Sequence, residues 1–259
     1  MSIETVAVIG AGVMGAGIAQ TLAQAGCTVR GYDVEPAQLE QARATVEGGR
    51  YGLVRAVERG KLDEPSADAV RRRLSFTHVL DEAVAGVDLV IEAIPENLGL
   101  KIGVFRQLDE VVAPGAVLAS NSSGLPIVAL AGATGRPERV LGWHWASPPP
   151  VMRLAEIVVT ETTDPAAVAD VVALGERCGK APVVVKDNPM AWGYVGNRIW
   201  SAALREARAV VAEGIVDRDG VDTILTSGWN WPVGPFAMIR GASEGWGDDR
   251  RSSVADINP

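Results

Sequence analysis

The chain has 259 residues, of which 47% are hydrophobic, and a formal net charge of −8. A chain of this length can bury a large core, as one domain or as a domain with a smaller second one. The negative charge argues against nucleic acid and against an anionic membrane surface as partners, because both would repel it. No run approaches the ~20 apolar residues of a membrane span, and an apolar run from Thr5 leaves no room for a secretory leader.

Cys27 and Cys178, the two cysteines, have no CxxC partner and no metal-ligand spacing. We expect both to be reduced thiols, as in a cytosolic protein. The chain has only two histidines and no usual His/Asp spacing, so no metal site is predicted. These features predict a cytoplasmic protein, and they leave open a phosphorylated small molecule as a ligand, because one local pocket can be positive on an acidic protein.

Short β-branched runs alternate with helix-like segments over roughly the first 190 residues, which is typical of a parallel sheet with crossover helices. The predicted strands are 5–9, 28–33, 88–93, 117–121, 140–145, 153–160 and 182–187. No long crossover is predicted before either of the last two strands, so we expect antiparallel pairing there.

A glycine-rich turn follows the first strand, in the sequence VIGAGVMGAG. In its G-x-G-x-x-G pattern, Gly10 permits a tight turn, Gly12 leaves room for a pyrophosphate, and Gly15 allows the helix to approach the sheet. In this context the pattern predicts a dinucleotide site, whereas a purely structural βαβ turn is the alternative. The predicted cofactor contacts here are Gly10, Gly12, Val13, Met14 and Gly15.

The second predicted strand, TVRGYD, ends in an acidic residue, Asp33. It follows Gly15 at close to the ~20-residue spacing at which a carboxylate meets the adenosine ribose. A carboxylate there accepts hydrogen bonds from both ribose hydroxyls and repels a 2′-phosphate. The predicted cofactor is therefore NAD and not NADP.

Apolar periodicity predicts the helices. Residues 97–112 form an amphipathic pattern, and 36–61 is helical in character with a break at Gly48-Gly49. After residue 187 the character changes to helices at 197–213 and 219–226. Residues 246–259 are predicted to be a frayed polar tail.

These patterns predict an α/β fold of the Rossmann type, with a doubly wound, mostly parallel sheet and a smaller all-α C-terminal domain. The predicted limits are 1–187 for the dinucleotide-binding domain and 188–259 for a helical domain.

His144 lies between two tryptophans at the end of a late strand, in GWHWASPPPVMRLAE. A histidine in such a setting is more often a core residue, but this edge of an open α/β sheet is where ligands bind. The proline-rich turn after it is rigid and can fold residues 153–160 back, which would bring Glu156 to the imidazole. A carboxylate on Nδ1–H would leave Nε2 as a base for alcohol oxidation with NAD.

Several segments resemble those of the L-3-hydroxyacyl-CoA dehydrogenase family: VIGAGVMGAGIA, IEAIPENLGLK, LASNSSGLPI, RPERVLGWHWASPPPVMRLAEIV and VKDNP…GYVGNR. The resemblance covers nearly the whole chain in the same order. It implies that His144 is the general acid/base and Glu156 its orienting partner. It also implies a homodimer formed through the C-terminal helical domain, and a role in fatty acid metabolism.

The resemblance implies four further site residues. Ser123 would contact the substrate oxygen and the nicotinamide side, and Asn197 would lie near the reacting carbonyl. Glu96 and Lys101 would line the cofactor groove. Without the resemblance, Ser123 reads as a strand-end hydroxyl, Asn197 as a helix cap and Lys101 as a solvated helix residue.

Three departures from the family pattern concern the substrate. Ser147 replaces a substrate-contacting asparagine, residues 190–192 look like an insertion, and family members usually continue for some tens of residues of helix. A basic stretch, made of Arg50, Arg55, Arg59 and Lys61, reads either as a contact for CoA phosphates or as a solvated helix face, and the second is favoured.

The predicted function is reversible, NAD-linked oxidation of a 3-hydroxyacyl thioester to the 3-ketoacyl form. One alternative is a related dehydrogenase that acts on a hydroxy acid without CoA, of the sugar acid, carnitine or pyridine carboxylate type. Ser147 supports it, as do the tryptophans at 143, 145, 192, 229 and 231. The other is a non-catalytic protein similar to lambda-crystallin. No Y-x-x-x-K motif is present, which disfavours a tyrosine base.

Overall fold

The computed structural model describes residues 2–245, and within them one sheet of eight strands organises the first of two compact units. This unit ends at Tyr194, and the second begins at Val195. The strands are β1 (Thr5–Ile9), β2 (Thr28–Tyr32), β3 (Leu74–Thr77), β4 (Leu89–Glu92), β5 (Val117–Ser120), β6 (Val140–Trp145), β7 (Leu154–Val159) and β8 (Ala181–Lys186). Their order in the sheet is β3-β2-β1-β4-β5-β6-β7-β8.

The helices of the first unit cover the sheet. They are α1 (Val13–Gln24), α2 (Pro36–Gly48), α3 (Leu53–Glu58), α4 (Glu64–Arg73), α5 (Leu80–Val84), α6 (Leu98–Val111), α7 (Ile127–Ala131) and α8 (Pro165–Arg177), with a 3₁₀ turn at Pro137–Arg139. The predicted break at Gly48-Gly49 is confirmed, because α2 ends at Gly48.

Apolar residues fill both faces of the sheet, as a doubly wound fold requires. Along β1, Val6 and Val8 belong to one buried cluster, whereas Ala7 and Ile9 belong to the other. Successive side chains of a strand point to opposite faces, so a continuous apolar run supplies both cores. The predicted Rossmann-type fold with a mostly parallel sheet is confirmed.

The predicted pairing of the last two strands is half right. Strands β6 and β7 are antiparallel, but β7 and β8 are parallel and joined by α8. The helix was missed although its start carries strong signals: the Asp164 side chain accepts from Ala166 N, and Pro165 occupies the first turn. Strand β3 was also missed, because it is not a continuous apolar run: Ser75 is exposed and the other three residues are only partly buried.

The second unit contains α9 (Val195–Ala212), α10 (Arg218–Gly228) and α11 (Pro235–Gly245) within the described residues. Its small core includes Ala207 and Phe236. The carboxylate of Asp222 accepts from the backbone N–H groups of Phe236 and Ala237, at 2.9 and 2.8 Å, which satisfies the start of α11.

The polar tail predicted at 246–259 lies outside the described residues. In the part of the chain that the structure describes, no helix combines the length and the apolar character needed to span a bilayer.

Candidate active site

The glycine-rich turn joins β1 to α1 at the carboxyl edge of the sheet. Gly10 has φ +99°, and a Cβ atom on it would lie 2.7 Å from the carbonyl oxygen of Ala93. A Cβ atom on Gly15 would lie 1.7 Å from the carbonyl oxygen of Gly10. At Gly12, by contrast, a Cβ atom would meet nothing within 4 Å. The turn thus needs two glycines to fold, and the third leaves open space in front of the helix.

The open space at Gly12 lies where the first amides of α1 and the positive end of its dipole favour a phosphate. Val13 and Met14 form the first turn of that helix, with Val13 exposed and Met14 half-buried. The turn therefore fits the pyrophosphate of a dinucleotide. Contacts of these residues with the cofactor stay a prediction.

Asp33 follows β2 and is fixed against the same turn. Its Oδ2 accepts from the backbone N–H of Ala11 at 2.8 Å, and its Oδ1 accepts from that of Glu35 at 3.0 Å. Each carboxylate oxygen has a second lone pair, so the group can also accept from ribose hydroxyls. A carboxylate held in this position is electrostatically matched to a diol and mismatched to a phosphate.

His144 and Glu156 lie directly opposite each other on the antiparallel strands β6 and β7. The Nδ1 atom of His144 is 2.7 Å from Oε2 of Glu156, and the two residues are 8% and 2% exposed. Opposite residues of an antiparallel pair share one face of the sheet, so the register alone brings the two side chains together. Nδ1–H donates to the carboxylate, which leaves Nε2 as the proton acceptor.

The tryptophans on either side of His144 point to the other face. Trp143 and Trp145 are fully buried in the apolar core, with ring centroids 4.9 Å apart. Replacing such a ring by alanine typically costs about 3–5 kcal/mol. The Trp-His-Trp pattern therefore places the two large anchors in the core and the imidazole on the opposite side of the strand.

Tyr194 contacts His144, and sequence reasoning assigned it no role. The ring centroids are 5.8 Å apart, and the Tyr194 hydroxyl donates to the carbonyl oxygen of Leu125 at 2.8 Å. Burial raises the pKa of Tyr194, so the hydroxyl stays protonated. The ring forms a wall beside the imidazole and links it to the loop after β5. No local pattern marks this contact, since it joins residues far apart in the sequence.

Glu96 fixes the loop that carries Ser123. Its Oε1 accepts from the backbone N–H of Ser123 at 2.8 Å and from the Ser122 hydroxyl at 2.6 Å. Asn121, one residue after β5, accepts from the backbone N–H of Trp145 at 2.9 Å and so ties this loop to β6. Ser123 is half-buried at the carboxyl edge of the sheet, and its predicted substrate contact stays a prediction.

Lys101 is not the solvated helix residue of the alternative interpretation, because it is only 1% exposed. Its ammonium is 2.6 Å from Glu92 Oε1 and 3.3 Å from Glu96 Oε2, and it donates to the Ile94 carbonyl. Ser120 donates to the other oxygen of Glu92 at 2.6 Å. The pairing supports the wall of the predicted cofactor groove from behind. Sequence reasoning assigned no role to Glu92. The signal that could have found it is a charged residue at the end of an otherwise apolar strand, β4.

Two predicted substrate residues occupy different parts of the chain. Asn197 lies in the first turn of α9, in the second unit, and its role stays a prediction. Ser147 is half-buried at the start of the turn between β6 and β7.

The basic stretch surrounds a cavity of about 270 Å³. All four of its side chains are exposed, as a solvated face would be, yet they converge on this one cavity. Besides these four residues, the lining includes Gln20 of α1 and Pro150 and Val151 of the turn after β6.

The fold and this site define a class: a Rossmann-type dinucleotide-binding oxidoreductase with a buried histidine–glutamate pair on its sheet. The comparisons with known proteins narrow this class to one family. The family profile described as "3-hydroxyacyl-CoA dehydrogenase, NAD binding domain" matches residues 5–188, and the profile of that family's C-terminal domain matches 193–255. The chain belongs to the 3-hydroxyacyl-CoA dehydrogenase family, and its first unit contains the family's NAD-binding domain.

Individual relatives cover most of the chain. A probable 3-hydroxybutyryl-CoA dehydrogenase of Bacillus subtilis is 42% identical over 92% of this chain and 80% of its own length. The 5-formyl-3-hydroxy-2-methylpyridine 4-carboxylate 5-dehydrogenase of Mesorhizobium japonicum is 38% identical over 92% of this chain and 75% of its own. Among solved structures, (S)-3-hydroxybutyryl-CoA dehydrogenase PaaH1 from Ralstonia eutropha is 33% identical, with a TM-score of 0.85 over 99% of this chain and 92% of that one.

Proposed function

We propose that this protein interconverts an L-3-hydroxyacyl-CoA and a 3-ketoacyl-CoA with NAD. The observation that carries the proposal is the buried pair of His144 and Glu156, joined at 2.7 Å on one face of a hairpin. The relatives named as 3-hydroxybutyryl-CoA dehydrogenases support the substrate class.

The pair performs the proton transfer. Nε2 of His144 accepts the proton of the substrate hydroxyl as the C–O bond becomes a carbonyl, and returns it in the reverse direction. Glu156 holds the ring by Nδ1–H and stabilises the imidazolium that forms. NAD, when bound, accepts the hydride that leaves the substrate carbon. The wall formed by Tyr194 limits water beside the imidazole.

Cofactor preference is set at the other end of the site. Gly12 admits the pyrophosphate to the α1 amides, and Asp33 accepts from the ribose hydroxyls. Glu96 lines the groove and holds the Ser123 loop, and Lys101 supports Glu96 from behind. Ser123 donates to the substrate oxygen, which stabilises the negative charge that develops there during reduction. A substrate contact of Asn197 is supported by the family resemblance alone.

The basic cavity supports a CoA thioester over a free acid. Three arginines and a lysine meet there on a chain whose net charge is −8, and the phosphates of CoA are anions of matching chemistry. This position outweighs the solvated-face interpretation favoured from the sequence.

We also propose how the two parts of the chain divide their roles, how the protein assembles and where it acts. Residues 1–187 serve the cofactor, and 188–259 serve the substrate and a homodimer contact, for which the exposed apolar side chains Ile199, Ile224 and Trp229 are suitable. A cytoplasmic place in fatty acid metabolism fits the acidic composition and the two free thiols.

A substrate panel tests the proposal. Reduction of acetoacetyl-CoA and longer 3-ketoacyl-CoAs is followed by loss of NADH absorbance, beside free 3-keto acids and a pyridine carboxaldehyde. Turnover of the thioesters at a kcat/KM at least about a hundredfold above the others is expected, since they alone reach the cavity.

The second candidate, a hydroxy acid or pyridine carboxylate dehydrogenase, is favoured by the Mesorhizobium relative and by Ser147. Preferential turnover of the non-thioester compounds would establish it and reject the thioester assignment.

A further inference from the structure

Lys180 is a buried lysine that the mechanism does not use. It lies between α8 and β8 and is 6% exposed. Its backbone N–H donates to Gly175 at 2.9 Å, and the N–H of the next residue, Ala181, donates to Arg153 at 2.7 Å. These two hydrogen bonds fix the main chain at Lys180, and with it the position from which the side chain extends.

The ammonium of Lys180 points at the turn between β6 and β7. It donates to the carbonyl oxygens of Pro149 and Met152, the latter at 2.8 Å, and lies 4.7 Å from the ring centroid of Trp145. Two carbonyls and one aromatic face thus account for its three donors.

No carboxylate neutralises this charge among the ion pairs of residues 2–245, in contrast to Lys101. Burial lowers the pKa of Lys180 to about 8, with Cys178 opposing the shift. Burying a charge without a counter-ion costs free energy, so the contacts of the ammonium with the turn must offset that cost.

The turn depends on an external donor because Pro148, Pro149 and Pro150 have no N–H. Within the turn, the backbone N–H groups of Val151 and Met152 both donate to the carbonyl oxygen of Pro148 at 3.0 Å. The carbonyls of Pro149 and Met152 are left for Lys180.

Pro149 is also packed against α1. A Cβ atom on Gly17 would lie 3.0 Å from Cδ of Pro149, so the turn also rests on this helix. The two residues that follow, Pro150 and Val151, form a wall of the basic cavity. The position of Lys180 therefore determines where that wall stands.

We propose that Lys180 is a positioning residue for the CoA part of the substrate: it clamps the turn through Pro149 and Met152 and so keeps Pro150 and Val151 against the basic cavity. This inference rests on the proposed function, since it takes the cavity as the site of the CoA phosphates.

The test compares two thioesters, acetoacetyl-CoA and S-acetoacetyl-pantetheine, which lacks the phosphates. In Lys180→Met the KM for acetoacetyl-CoA should rise about tenfold with kcat within about threefold, whereas kcat/KM for the pantetheine thioester and the Kd for NADH stay unchanged. Lys180→Arg retains donors and charge and should recover part of the loss. Lys186→Met, the same substitution at an exposed lysine on β8, serves as the matched control.

A second variant addresses the turn without removing the buried charge. In Gly17→Ala the new methyl presses on Pro149, and a smaller rise in the same KM is expected, about threefold. This keeps the proposal testable if Lys180→Met does not fold.

The outcomes separate the two levels of argument. The role of Lys180 would be overturned if Lys180→Met lowered kcat/KM equally for both thioesters. It would also be overturned if the KM for acetoacetyl-CoA were unchanged in both Lys180→Met and Gly17→Ala. Neither result would affect the wild-type preference for CoA. If the wild-type enzyme itself treats the two thioesters alike, the cavity assignment fails first, and the role of Lys180 fails with it.

Discussion

The glycine turn and the β6–β7 hairpin are suited to their roles by opposite structural means. In the turn the backbone is what fits the cofactor: Gly10 and Gly15 are required by space, and Gly12 leaves an opening. In the hairpin two side chains act, and the strand register brings His144 and Glu156 together. One region is defined by missing side chains and the other by paired ones. Binding and chemistry should therefore be separable by mutation.

The strongest test of this separation is His144→Gln. If His144 is the base, its loss should lower kcat by about a thousandfold, within the usual range of general acid–base catalysis. The Kd for NADH, measured by fluorescence titration, should stay nearly unchanged. His78→Gln makes the same change at the other histidine, which is exposed, and should keep full activity. A kcat within tenfold of wild type would mean that His144 is not the base.

Removing the partner should cost less. Glu156→Gln keeps an acceptor for Nδ1–H but removes the negative charge that stabilises the imidazolium, so kcat should fall by about a hundredfold. The double variant should be no slower than His144→Gln alone, because the two residues act as one unit. Multiplicative losses in stopped-flow turnover would show that Glu156 acts independently.

Asp33→Arg probes the cofactor end. Exchange of the carboxylate for a cation should change the ratio of kcat/KM for NADH over NADPH by about a hundredfold towards NADPH. The kcat at saturating cofactor should stay within about threefold, since the hairpin is untouched. An unchanged ratio would mean that Asp33 does not meet the ribose.

The smallest effect is expected at Gly12. Its Cβ position is open, so Gly12→Ala should fold with wild-type stability and weaken NAD binding by about tenfold. Gly15→Ala makes the same change where the methyl meets a carbonyl oxygen, and it should instead lower the Tm. Thermal unfolding beside NADH titration distinguishes the two, and equal losses of Tm would contradict the open space at Gly12.

The sequence predicted the parts of the molecule that local pattern controls. The glycine spacing located the turn, and the prolines after Trp145 indicated a turn that returns the chain so that Glu156 meets His144. The parallel pairing of β8 was missed because α8 was not recognised. The buried positions of Lys101 and Lys180 were not predictable, since each depends on partners from other segments: Glu92 across a turn, and Pro149 across a whole crossover.

The pairing of β6 with β7, and not the turn that joins these strands, sets the register of His144 and Glu156. The pairs from Gly142 with Val158 to Trp145 with Ala155 lie entirely outside residues 147–152. Substitutions in that segment should therefore leave His144 and Glu156 in place, while they change the turn that we propose to contact the substrate. Directed evolution confined to these six positions is a compact route to new substrates for the same alcohol oxidation.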